Sequence, residues 1–348
     1  GEVSTPQILD KKLWQISGHW EKYKDNIFLT EYENRKFAVK PMNCPGGMLI
    51  FKTKPKSYKE LPLRVAELGV VHRQELSGVL GGLFRVIQFT QDDAHIYCEE
   101  NQIEDEILKI IEIIDYVYTK TFNFEYHLEL STRPELRIGE DKLWDKAEKA
   151  LENVLKKNKI KYKLNKGDGA FYGPKIDFHV KDSLGRTWQC GTIQLDFAMP
   201  ERFDLEYNDK NNNRRKPIMI HRTVYGSLER FVGILIEHYK GRLPTWLAPI
   251  QIRVLSFTDR NQKAAENIIK KIAEKIPNIR IDADFKQTTV QSKVKDAEIM
   301  RIPYIIVIGD KEEKSGELAV RVKGNNEIEH MAFDKFVNNL QSEIKERK

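Results

Sequence analysis

The run KIDFHVKDSLGRTWQCGTIQLDF at 175–197 reads as two strands and a turn. Ile176, Phe178 and Val180 alternate with polar neighbours, the period of a half-buried strand. DSLG at 182–185 reverses the chain, and TWQCGTIQLDF continues as the second strand. Two strands joined by so short a turn must lie antiparallel. Further along, NDKNNNRRK at 208–216 is a polar stretch between apolar segments and reads as another hairpin loop. Two helices are clear. Residues 101–119 place Ile103, Ile107, Ile110, Ile114 and Val117 on one face, and residues 141–156 do the same with Trp144, Ala147, Leu151, Val154 and Leu155. Strands joined by short turns, with helices inserted irregularly, predict an α+β domain: an antiparallel sheet flanked by helices.

The rhythm changes near PTWLAPIQ at 244–251, where two prolines punctuate the chain. Strand 252–257 leads to helix 260–276, strand 279–285 and helix 290–300. The apolar run YIIVIGD at 304–310, a strand at 317–323 and a terminal helix at 332–346 follow. This alternation predicts a second, smaller α/β domain with a mixed sheet. The expected domains are therefore 1–247 and 248–348, in keeping with a length of 348 residues.

Composition sets looser bounds. Hydrophobic residues at 40% and charged residues at 32% suit a water-soluble globular chain. The net charge of +6 permits a nucleic-acid partner without requiring one, and the charges are interspersed. No apolar run approaches membrane-spanning length, so no membrane partner is expected. Cys44, Cys98 and Cys190 are too few for a disulfide framework and fit a reducing compartment, so a cytoplasmic location is expected, an organelle being possible.

Three residues far apart carry the chemistry. Cys44 lies in MNCPGG, His95 in FTQDDAHIYC and His221 in IMIHRTVYGSLERF. One thiolate and two imidazoles with a fourth position open is the ligand set of a working zinc rather than a structural one. His127, His179, His238 and His330 lie outside such runs and read as ordinary hydrogen-bonded histidines.

Those three runs, with HRQE at 72–75, GLFRVIQFTQDD at 82–93 and GSLERFVGILIEHYKG at 226–241, resemble the threonyl-tRNA synthetases, members of class II of the aminoacyl-tRNA synthetases. The resemblance extends over nearly the whole chain. It implies a class II catalytic domain over 1–247 and an anticodon-binding domain over 248–348, without the family's N-terminal editing domains. It implies zinc at Cys44, His95 and His221, and magnesium accompanying ATP. Arg73 would bind the α-phosphate, Glu75 the adenine amino group, Arg85 the outer phosphates, and Phe89 would stack on adenine. Arg230 would cover the other adenine face, with Gln189 and Thr192 near the ATP. Gln91, Asp93, Tyr172 and Gln194 would surround L-threonine, Lys175 would face the adenylate, and His19 would assist transfer to tRNA(Thr). The anticodon contacts would be Arg321 and Lys323 with Glu312 or Glu313. EVSTPQIL at 2–9, with Pro6, would be the remnant strand of the element through which the class forms homodimers.

The sequence departs from the family's runs at Gly47, Ile87, Gln88, Thr223, Tyr225, Gln291 and Ser292. None of these replaces a zinc ligand, Arg73 or Arg230. A non-catalytic relative that binds amino acid, nucleotide or RNA for regulation is the alternative. A synthetase for proline or serine is a further one, against which the zinc ligands speak.

Overall fold

The computed structural model describes residues 1–325 and 327–347 and divides the chain into two units, Gly1–Ile234 and a second beginning at Leu235. The boundary expected at 247/248 falls within the second of these units.

In the first unit, β1 (Ile8–Asp10), β2 (Leu29–Tyr32) and β3 (Arg35–Val39) form a small sheet in the order β1-β3-β2. Of the strand expected at 2–9, only its end is regular; Glu2 adds one isolated bridge to Ala66. Thr5 turns aside because its N–H and hydroxyl are both spent on the buried Glu67 carboxylate, at 2.7 and 2.8 Å. Lys40 Nζ meets the same carboxylate at 2.9 Å.

The main sheet uses β4 (Leu63–His72), β5 (Gln88–Cys98), β6 (Tyr126–Ser131), β7 (Lys163–Asn165), β8 (Lys175–Lys181), β9 (Thr187–Asp196) and, after the expected hairpin of β10 (Tyr207–Asn208) and β11 (Arg214–Arg215), β12 (Ile218–Thr223). Its order is β4-β5-β12-β9-β8-β6-β7, antiparallel throughout except for β6 and β7. The 175–197 run is the β8–β9 hairpin, as its alternation requires. Residues of period two sort the sheet into two faces. Ile193, Leu195, Ile220 and Phe178 are buried among the apolar core residues. Helices Ile103–Asp115 and Asp141–Lys157 bury the stripes read from the sequence. The first continues as a π-helical turn, Tyr116–Thr121, which brings the Tyr118 hydroxyl to within 2.7 Å of the Gly191 N–H.

The second unit holds β13 (Ile252–Ser256), β14 (Ile281–Asp284), β15 (Tyr304–Ile308), β16 (Glu317–Val322) and β17 (Ile328–Ala332) in the order β14-β13-β15-β16-β17. β13 is parallel to β14 and β15; β15, β16 and β17 are antiparallel. The mixed sheet is as expected, with two adjustments. The run at 304–310 leaves the sheet at Ile308, since Asp310 opens a short helix, Asp310–Ser315. β17 has a mostly exposed, irregular pattern that periodicity does not reveal. No helix of the described residues is long and apolar enough to cross a membrane.

Candidate active site

β5 and β12 are neighbours, and their register sets His95 directly opposite His221. The rings stand edge to face with centroids 5.2 Å apart. Helix Cys44–Lys52 begins with Cys44 at the same spot, and one ligand atom from each of the three lies within 4.8 Å of the others. All three residues are buried. Burial raises the Cys44 thiol well above its ordinary range and drives His95 well below its own, keeping that imidazole neutral. The His221 Nε2–H donates to Asp196 Oδ2 at 3.0 Å, because a carboxylate can only accept, and this leaves Nδ1 free. Asp196 is itself held by the N–H groups of Ala198 and Met199, each at 2.9 Å. A fixed imidazole backed by a fixed carboxylate is the support that a metal-ligating histidine needs. The donors, their burial and this backing fit a zinc ion.

The trio lies on the wall of a cleft of about 630 Å³, which is also lined by Arg73, Glu75, Arg85, Phe89, Gln91, Asp93, Tyr172, Lys175, Gln189, Thr192, Gln194 and Arg230. Every proposed ATP and amino-acid contact thus shares one cavity with the metal candidates. Phe89, Gln91, Asp93 and His95 do so because alternate residues of β5 point the same way. Arg73 sits over the Phe89 ring at 5.1 Å. Arg85 Nη2 pairs with Glu75 at 3.0 Å. Arg230 follows the turn after β12; its Nε donates to Phe84 O at 2.8 Å, its Nη1 to Gln189 O at 3.0 Å, and its guanidinium covers Trp188. The Tyr172 hydroxyl donates to Gln194 Oε1, and its ring lies 4.9 Å from that of His221.

His19 is placed differently. It is fully buried and is not among the residues lining the cleft. Its Nδ1 meets Ser17 Oγ at 2.8 Å and its Nε2 meets Met42 Sδ at 3.0 Å. Burial pushes its pKa down to about 3. Among the anticodon candidates, Glu312 accepts the Gly309 N–H at 3.0 Å and caps its own helix. Lys323 Nζ donates to Leu243 O at 2.6 Å, and Arg321 stands 4.0 Å from Glu298.

Several residues that support the site escaped the sequence reading. Asp177 is buried and accepts from Gln189, Thr192 and Ser131 at 2.6, 3.1 and 2.9 Å, while Lys175 Nζ lies 2.7 Å away. Asn43 donates to Asp93 Oδ2 at 2.6 Å and leaves its own Oδ1 buried without a partner. A Cβ on Gly69 would lie 2.2 Å from that Asn43 oxygen, so only glycine fits beside it. Gly69 pairs with Gln91 across β4 and β5. Such a glycine inside a strand pattern is the one signal that marks close backbone approach.

The family model described as the tRNA synthetase class II core domain (G, H, P, S and T) matches residues 28–239, and that described as the anticodon binding domain matches 251–343. A solved structure described as the RNA binding domain of threonyl-tRNA synthetase from Cryptosporidium parvum is 38% identical. It covers 98% of this chain and 86% of its own, with a TM-score of 0.93. The chain belongs to the threonyl-tRNA synthetase family. A putative threonyl-tRNA synthetase from Aeropyrum pernix is 31% identical over 99% of this chain and 83% of its own, with a TM-score of 0.79. A threonine–tRNA ligase of Caldanaerobacter subterraneus is 50% identical over 343 residues, 99% of this chain. The chain spans about half the length of the curated relatives it matches, 53% in this case.

Proposed function

We propose that the chain is the core of a threonine–tRNA ligase: it joins L-threonine to ATP as threonyl-adenylate, releases pyrophosphate, and passes the threonyl group to the 3′ end of tRNA(Thr). The observation that carries this reading is the buried Cys44, His95 and His221 set in the same cleft as Arg73, Glu75, Phe89 and Arg230. Phe89 and Arg230 would hold adenine between a ring and a guanidinium, and Glu75 would accept from its exocyclic amine. Arg73 and Arg85 would orient the phosphates, with magnesium arriving alongside them. Their charge is needed most as the threonine carboxylate attacks the α-phosphorus, so their work is positioning and neutralisation. Lys175, placed by Asp177, faces the same space.

Zinc held by the trio would supply a Lewis-acidic centre with open positions for an amine and a hydroxyl. Asp93, fixed by Asn43, would accept from the substrate hydroxyl. Valine leaves that acceptor unpaired, and a buried polar site rejects such an analogue strongly. Serine keeps the hydroxyl and loses one methyl, a difference of about 1–3 kcal/mol. Serine is therefore the expected error.

The remaining parts of the reading rest on the resemblance: homodimerisation near Pro6, anticodon binding by the second unit, and a cytoplasmic location, which three free buried cysteines suit. His19 would influence tRNA transfer from behind the wall, through Met42. The test is exchange of labelled pyrophosphate into ATP with threonine, serine, valine or proline. Threonine should lead, serine should follow, and valine and proline should give background. Equal exchange with valine, or none with threonine, overturns the proposal.

A further inference from the structure

We propose that His127, Glu129 and His179 form a second metal site, for a borderline divalent cation of the zinc class, separate from Cys44, His95 and His221. The sequence treats both histidines as ordinary. The register of β6 and β8 changes that reading. His127 and His179 are direct cross-strand partners, and Glu129 lies two residues beyond His127. A period of two then puts all three side chains on one face.

The structure bears out the convergence. His127 Nε2 lies 2.9 Å from Glu129 Oε1, and His179 Nε2 lies 3.6 Å from Glu129 Oε2. The imidazoles are stacked, 16° from parallel with centroids 5.2 Å apart, so one ring must turn about its Cβ–Cγ bond for both in-plane lone pairs to meet one ion. One ligand atom from each residue lies within 4.8 Å of the others. Nitrogen and oxygen ligands about 2.0–2.1 Å from a tetrahedral zinc stand about 3.3–3.4 Å apart. The two histidine–glutamate separations bracket that spacing, and rotation of one imidazole would bring its nitrogen to the same ion. Two imidazoles and one carboxylate are a zinc ligand set in their own right, with a further position open to water.

Two more features point the same way. Asn165 Nδ2 donates to Glu129 Oε2 at 3.2 Å, fixing the carboxylate from behind, as outer partners of metal ligands do. His127 and His179 each turn a ring nitrogen toward Glu129, and each such nitrogen becomes a ligand once free of its proton. The side chains are 29%, 19% and 20% exposed, which is enclosed yet reachable. Glu129 also stands opposite Asp177 across β6 and β8, so an ion here would brace the seam beside the carboxylate that organises Gln189 and Thr192.

The experiment is zinc stoichiometry of the full chain by elemental analysis after equilibration with micromolar zinc. Wild type should hold two equivalents. His127→Gln and His179→Gln should each hold one, with the thermal transition of the metal-free protein unchanged as a control on folding. Cys44→Ala should also hold one, which His179→Gln added to it removes. Asn165→Ala should weaken the second equivalent about 10–100-fold. With cobalt(II), only the Cys44 site can give a sulfur charge-transfer band, so the second equivalent should add none. A single equivalent in wild type that Cys44→Ala abolishes overturns the proposal, as does a second equivalent kept by both glutamine variants. A single equivalent lost in His179→Gln but kept in Cys44→Ala supports this site and counts against the other.

Discussion

The main sheet of the first unit and the sheet of the second unit bury their faces differently. In the first, the helices Ile103–Asp115 and Asp141–Lys157 bury their apolar stripes, while the other face carries His95, Asp93, Gln194, His221 and Thr192 toward a cleft. In the second, Ile252, Val254, Ile306 and Val320 pack in one core, and Leu255, Ile305 and Ala297 in another. Parallel strands bring crossover helices onto both faces, whereas antiparallel strands leave a face free. Chemistry in the first unit can therefore be built in the middle of a sheet. In the second, the strands covered on both faces are β13 and β15, while β17 is mostly exposed. Glu312 and Lys323, once placed, prove to be bonded to their own unit's backbone.

If the open face is what matters, changes on it should dominate every other effect. Cys44→Ala should remove the equivalent of zinc bound there and reduce threonine-dependent pyrophosphate exchange to background, measured by elemental analysis and isotope exchange. Full exchange without that zinc would break the comparison at its centre. Arg73→Ala and Arg230→Ala should each lower exchange about 10²–10³-fold, the range for removing one fixed donor from a developing charge. Circular dichroism should stay unchanged for Arg73→Ala, since its Nε makes one backbone hydrogen bond, at 3.2 Å, to Pro41 O. Arg230→Ala also frees the Phe84 and Gln189 carbonyls, so a small loss of thermal stability should accompany it.

The same contrast explains what the sequence could tell. Alternation of Ile176, Phe178 and Val180 and the stripe of Ile103, Ile107, Ile110 and Ile114 are periodic signals, and both appear as regular elements. The candidate site residues could be singled out because each lies in a distinctive run. What stayed hidden is set by pairing between distant strands. Asp177 looks like any strand aspartate until Thr192 and Gln189 arrive on β9. Asn43 and Gly69 become a pair only when β4 passes the start of helix Cys44–Lys52. His127 and His179 are 52 residues apart, and only the β6–β8 register unites them. His19 carries no mark in its neighbours that it would be walled off by Trp14, Tyr23 and Phe171. β17 was missed because its side chains are mostly exposed and lack a clean period.

Truncation sharpens the comparison at the boundary. The helix Leu228–His238 carries Arg230 in its first turn and runs past Ile234, where the first unit ends. Ending the chain after residue 247 keeps that helix whole, and exchange should stay within a few-fold of wild type while tRNA charging falls by more than tenfold. Ending it after residue 234 removes the last turn of the helix, and exchange should fall further. Equal exchange in both truncations would place the working boundary at 234. Undiminished charging by the 247 truncation would remove the anticodon proposal.

The smallest effect should come from the covered side of the same sheet. Asp92 precedes Asp93 on β5, so its side chain leaves by the opposite face. There it accepts the N–H groups of Val224, Tyr225 and Gly226 at 2.8, 3.0 and 2.9 Å. These three bonds shape the turn that launches Arg230, a turn in which Gly226 has φ of +75° and no room for a Cβ. Burial pushes the Asp92 carboxyl up to about 6 despite those donors. Desolvation thus outweighs the hydrogen bonds, which offset only part of it. Asp92→Asn relieves the first and weakens the second, so the net cost should be only about 1–3 kcal/mol and exchange should survive. The diagnostic is the sign of its pH dependence. A carboxyl whose folded pKa exceeds its ordinary 3.8 binds protons more tightly in the folded state. Wild type should therefore lose stability relative to Asp92→Asn as pH rises from about 4 to about 6, by at most about 1.4 kcal/mol per unit, and change little above that. Parallel stability curves for the two proteins across that window, from denaturant melts, would show that the turn's donors outweigh burial and that Asp92 stays ionised throughout.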